Sequence, residues 1–132
     1  MEEKKIVVHM VGGTIHKGIT LDFEPDRSEF HLLPAEGGGV PVRIRVGEMK
    51  ALFYVKDWLG NRDFVARRSF DTIREQGRKA ILTFRDGETM WGTVGQGEES
   101  DQGFFFYPVD EQDNNDRIFV VRDSLEEIRW VP

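Results

Sequence analysis

All three histidines, His9, His16 and His31, fall in the first half of the chain. If Gly12-Gly13 forms a two-residue hairpin turn, His9 stands directly opposite His16, and His31 shares that outward face. Three imidazoles on one sheet would supply a zinc site, which needs three or four ligands within tetrahedral reach. The plainer reading is a set of partly exposed histidines that needs no metal.

The second chemical feature is basic. Arg62, Arg67, Arg68, Arg74, Arg78 and Lys79 cluster in the middle of a chain with 24 acidic and 18 basic residues. Arginine forks suit phosphates and carboxylates, which makes Arg67, Arg68, Arg74 and Arg78 candidate ligand-binding residues. Asp63, Asp71 and Glu75 lie among them, so a salt-bridged solvated face competes with an anion site. The acidic groups Asp22, Glu24 and Asp26, and Asp110, Glu111, Asp113 and Asp116, lack the spacing of a calcium loop and read as loop tips. P-loop, nucleophile-elbow, His-Glu-x-x-His and dinucleotide fingerprints are absent from the sequence, which points to a protein without catalysis and without a cofactor.

These residues must be held by a framework of 132 residues, enough for one ordinary domain or two very small ones sharing a core. The net charge of -6 argues against nucleic acid as a partner bound mainly through its phosphates. Cysteine is absent, which excludes disulfides and thiolate metal sites. The N-terminal "MEEKKIVVHMV" has too short an apolar run for a signal peptide, and no stretch approaches a membrane span, so a cytoplasmic location is expected.

The framework repeats. Laying "VVHMVGGTIHKG" beside "ILTFRDGETMWG" aligns Gly13 with Gly87 and Gly18 with Gly92, and the same spacing brings Phe30 onto Phe104 and Pro34 onto Pro108. After a longer loop in the second copy, Val42 falls on Ile118, Ile44 on Val120, Met49 on Leu125, Leu52 on Ile128 and Val55 on Val131. His9, His16 and His31 align with Thr83, Met90 and Phe105, so the imidazole chemistry does not repeat. Each copy reads as about five short strands with turn signals between them, the pattern of small barrels and sandwiches. Glycine at 18 and 92 marks a bend or a close backbone approach.

This arrangement resembles the Sm-like and SH3-like small barrels, with "FRDGETMWGTV" and "MVGGTIHKGITLDFEPD" similar to the first Sm motif. With "LFYVKDW" and "NNDRIFV" it is also similar to an uncharacterised bacterial two-lobed family. The resemblance implies two barrel lobes. Sm-like proteins bind RNA through an asparagine and an arginine-glycine pair, whereas the aligned places here hold Asp26 or Ser100, and Val46-Gly47 or Arg122-Asp123. The spacing from Arg74 to Arg78, followed by Ser100 and Gly103, resembles the motif of PilZ domains and implies a cyclic dinucleotide as ligand, although Glu98 stands where that motif has Asp or Asn.

The expectation is therefore an all-β protein: a first five-stranded lobe over 1–56, a linker over 57–77 and a second lobe over 78–132. Ser69 as N-cap and Gly77 as stop give the linker a short helix. Trp58, Phe64, Phe70 and Ile73 are expected to pack across the lobes. The expected function is protein-protein interaction, with a protein partner or self-association through the outward residues Leu33, Phe53, Phe105 and Tyr107. The alternative is an anionic ligand, a cyclic dinucleotide or RNA, on the linker arginines. In "GFFFYP", Phe104 and Phe106 face a core while Phe105 and Tyr107 face outward, toward the seam between lobes.

Overall fold

The computed structural model describes residues 5–36, 39–56, 77–95, 99–109 and 115–132. The first half contributes β1 (Lys5–Met10), β2 (Ile15–Ile19), β3 (Glu29–Pro34), β4 (Val42–Arg45) and β5 (Met49–Val55). The second contributes β6 (Arg78–Phe84), β7 (Thr89–Val94), β8 (Gly103–Pro108), β9 (Asn115–Val121) and β10 (Leu125–Trp130). Single 3-10 turns at Val46–Glu48 and Arg122–Ser124 lead into β5 and β10. The chain is all-β. The linker helix, the aromatic clasp and Arg67, Arg68 and Arg74 lie outside the described residues.

The hairpins differ from the expected two-residue turns. Met10 N–H donates to Thr14 O at 2.9 Å and Gly13 N–H to Met10 O at 3.0 Å, so the loop is Val11, Gly12 and Gly13. Phe84 and Glu88 close the matching loop, and Gly13 and Gly87 have φ of 97° and 94°. This is the three-residue hairpin in which a glycine in the left-handed region forms the bulge. The register therefore pairs Val8 with His16 and His9 with Ile15. One residue of slip turns a side chain to the other face, so His9 and His16 point apart.

The ten strands form one sheet in the order β10-β6-β7-β8-β9-β5-β1-β2-β3-β4. Its two halves share one strand order and one set of registers. Ile6↔Gly18 recurs as Ala80↔Gly92, Gly18↔Pro34 as Gly92↔Pro108, and Phe30↔Ile44 as Phe104↔Val120. A Cβ at Gly18 would stand 2.1 Å from Leu33 O, and one at Gly92 2.1 Å from Tyr107 O, which is the close backbone approach expected there. Where the sequence reading has two closed lobes, β9 pairs with β5 and the halves run on as one sheet, through Ala51↔Val120, Leu52↔Phe119 and Phe53↔Ile118.

Two cores explain that junction. One contains Ala80, Leu82, Phe84, Phe104, Phe106, Ile118 and Val120 of the second half, joined by Val7, Ala51, Phe53 and Val55 of the first. The other contains Ile6, Val8, Phe30, Leu32, Ile44 and Leu52 of the first half, joined by Phe105, Phe119 and Val121 of the second. Successive residues of β5 and β9 thus serve opposite cores, as strand alternation requires. Phe53 and Phe105, expected on an interaction surface, are each only 5% exposed because the other half covers them. Each such burial is worth about 1.5–3 kcal/mol, which favours the junction over two separate bodies. Tyr107 is half-buried against the same core, and Leu33 remains exposed. Among the described residues no helix is long and apolar enough to cross a membrane.

Candidate functional site

Across the junction, the β1–β2 loop faces the β6–β7 loop. Between them lies a cleft of about 430 Å³ lined by His9, Met10, Lys50, Phe84, Arg85 and Asp123, among others. A β-bulge puts Lys50 there. Register shifts between His9↔Ala51 and Met10↔Met49, so Lys50 is the extra residue of β5, and such a residue re-aims its side chain. Its ammonium lies 2.6 Å from Asp86 Oδ2 and 2.5 Å from Glu88 Oε1, with the Phe84 ring 4.6 Å away. Ser124 Oγ, buried, lies 2.9 Å from Lys50 O and 2.6 Å from Val121 O, where its hydroxyl proton is shared.

The electrostatics follow from these contacts. Burial works to lower the Lys50 pKa, but its hydrogen bonds to Asp86 and Glu88 outweigh it, and the net shift is upward. The hydrogen bond from Lys50, aided by the Glu88 N–H, holds Asp86 below the ordinary carboxylate range. His9 lies against Phe53, ring centroids 4.7 Å apart. Its pKa is lowered by burial first and then by Lys50, with Lys17 adding a little and Glu88 and Asp86 opposing. Lys50 is therefore held as a cation, and burial favours the neutral form of His9, whose ring meets no carboxylate among the described residues.

A second polar clasp joins the halves. Ser100 Oγ donates to Pro25 O at 2.5 Å, and Gln102 Nε2 donates to Pro25 O at 3.0 Å and to Arg27 O at 2.7 Å. The loop whose spacing suggested a nucleotide motif thus grips the backbone of the first half. An aromatic group spans the same interface: Phe23 meets Phe30 and Phe119 at 5.1 Å each, and Phe105 meets Phe119 at 5.4 Å.

The three histidines do not converge. His16 shares a face with Val8, and His31 pairs instead with Asp22, Nδ1 to Oδ2 at 2.7 Å. Burial would raise the Asp22 pKa, but hydrogen bonds from the His31 side chain and backbone and from Thr20 outweigh it and lower it. Among the described residues no group of three or more His, Cys, Asp or Glu is placed to hold a metal ion. Arg78, the one candidate arginine described, stacks on Trp130 with its guanidinium carbon 4.2 Å from the ring centroid.

Sequence reasoning missed Lys50, Ser124, Gln102 and the ends of the sheet. Among the described residues the outermost strands are β4 and β10. β4 is four residues long, follows Pro41 and points Arg43 and Arg45 outward, features that blunt an edge. β10 is longer, alternates charge with Ile128 and Trp130, and leaves Trp130 43% exposed. The available signal for the clasp was asymmetry between the copies, since Lys50, Asp86 and Glu88 align with Glu126, Gly12 and Thr14.

No curated protein and no solved structure matches the chain. A family model does match, over residues 2–132, and the chain belongs to that family, a family of unknown function designated DUF6982.

Proposed function

We propose that this chain is a non-catalytic binding module for a protein partner, built from two copies of an Sm-like or SH3-like unit fused along β5 and β9. The repeated registers support the two copies. The observation that carries the function is the open edge of β10. It occupies in the second half the place β5 holds in the first, and β5 receives a strand along the corresponding edge. A row of N–H and C=O groups that no strand pairs among the described residues, beside an exposed tryptophan, is a template for strand addition, a common mode of peptide recognition.

The test is capture of proteins from cells that make this chain, comparing the parent with Trp130→Asp. A partner held at β10 is lost from the variant while its melting temperature stays within a few degrees of the parent. Retention of every partner by the variant would remove β10 from the reading.

A second reading, a small ligand in the cleft, is favoured by His9, whose ring nitrogens have no hydrogen-bond partner among the described residues. Pockets of this size hold small molecules. Melting with cyclic dinucleotides, short RNA or zinc tests it, because a ligand at 100 times its Kd stabilises by about 2.7 kcal/mol.

A further inference from the structure

The junction between the halves is a position-by-position template for what β10 accepts. β5 pairs with β1 through Ile6↔Tyr54 and Val8↔Leu52, and β10 pairs with β6 through Ala80↔Trp130 and Leu82↔Ile128. Both strands carry their bulge at the same place, Lys50 in β5 and Glu126 in β10. Hence the outer edge of β10 presents the backbone row that β5 offers to β9. Glu127 stands where Ala51 stands, Ile128 where Leu52 stands, Arg129 where Phe53 stands and Trp130 where Tyr54 stands. In the junction these four residues of β5 meet Val120, Phe119, Ile118 and Arg117 of β9.

The chemistry differs on one face only. Ala51 and Phe53 point into an apolar core, so β9 answers with Val120 and Ile118. Their counterparts Glu127 and Arg129 are exposed charges, and a strand laid beside them with valine and isoleucine would desolvate both without a partner. Directly opposed residues on neighbouring antiparallel strands interact most strongly, and unlike charges there are favourable. On the other face, Ile128 and Trp130 keep the apolar character of Leu52 and Tyr54. Tyr54 carries the guanidinium of Arg117 at 4.5 Å.

Resting on the reading of β10 as the docking edge, we infer that the partner is an antiparallel strand with a basic residue opposite Glu127, an acidic residue opposite Arg129 and an apolar residue opposite Ile128. A second copy of this chain fits poorly. Its other edge among the described residues, β4, would set Ile44 against Glu127 and Val42 against Arg129, leaving both charges unanswered, and Pro41 lacks the N–H to extend the ladder.

The probe is the chain's own strand, residues 115–122 with Ile118→Glu and Val120→Lys, fused after Pro132 through a short Gly/Ser linker. Tethering sets a millimolar effective concentration, so weak docking is read out. The comparison fusion reverses the charges, with Ile118→Lys and Val120→Glu in the appended copy. Val131 N–H donates to Lys79 O of β6, so by alternation the N–H groups of Ile128 and Trp130 face the outer edge, and the readout is the hydrogen exchange of these two amides.

The expected result is at least tenfold slower exchange with the matched strand than with the reversed one. Glu127→Lys with Arg129→Glu in β10 should invert that order. Equal protection by both strands would overturn the charge rule and leave β10 as a docking edge. Absence of protection with either strand, in chains whose remaining amide spectrum is unchanged, would overturn both. A dimer of the unfused chain with β10 already protected would give the place to a second copy and overturn the assigned occupant.

Discussion

The ammonium of Lys50 stands 2.6 Å from the carboxylate of Asp86, and the two residues belong to different halves of the sheet. The lysine side chain is 11% exposed and the aspartate 54%, so the pair sits at the mouth of the cleft with its cation inside. Lys50→Met keeps the stem over Phe84 and removes the charge. The carboxylates it releases are solvated, which limits the loss to about 1–3 kcal/mol. Urea unfolding of the variant measures it, and a loss below a few tenths of a kcal/mol would mean that the clasp adds nothing to the junction.

Acid should weaken the protein in two windows. His9 has its folded pKa lowered from 6.5, so below that value the unfolded chain binds the proton more readily and stability falls until the folded pKa is passed. Asp86 has its folded pKa lowered from 3.8, so its contribution is full above 3.8 and is lost as pH falls through the folded value. Asp22 acts in the same direction and window. Urea midpoints measured from pH 7 to pH 3 should fall twice, and His9→Gln should abolish the upper step alone.

Glycine is required at only some of its positions. Gly92→Ala would drive a methyl group to within 2.1 Å of Tyr107 O and against the Phe106 ring, costing about 3 kcal/mol. Gly47→Ala meets nothing within 4 Å and should change stability by no more than about 0.5 kcal/mol. Paired melting curves of the two variants check the contrast, and equal losses would deny the close approach at β7–β8.

Among the described strands, the two outer edges carry charges where the junction carries apolar side chains. Arg43, Arg45, Glu127 and Arg129 occupy the places that Phe119, Val121, Ala51 and Phe53 hold in the junction. Replacing each by its junction counterpart, as Arg43→Phe, Arg45→Val, Glu127→Ala and Arg129→Phe, should make β4 of one chain accept β10 of the next. Sedimentation should then show mass rising with concentration beyond that of the parent chain. An unchanged mass would mean that Pro41 alone blunts the edge.

How far this was legible in the sequence depends on whether the information was local. Alternation in "GFFFYP" placed Phe104 and Phe106 in a core, and the matched glycines marked the close approach at β2 and β7, because both signals lie within one strand and its neighbour. The histidine triad failed on a single residue of register: glycine at the third loop position, rather than a two-residue turn, sends His9 and His16 to opposite faces. The union of the halves was harder to read. Phe53 and Phe105 announced that something covers them, but the β5–β9 ladder joins residues far apart in sequence, and an outward apolar residue looks the same whether its cover is a partner or the other half. Lys50 was overlooked because a bulge, which periodicity does not register, turns it into the cleft.

Since successive side chains of β5 and β9 belong to different cores, neither strand can be released without opening both. The last amides to exchange with deuterium should be those of these two middle strands, and their exchange should report the opening of the whole molecule. The midline of the sheet is thus the cooperative hinge of its stability, while the rims can fray with that midline intact.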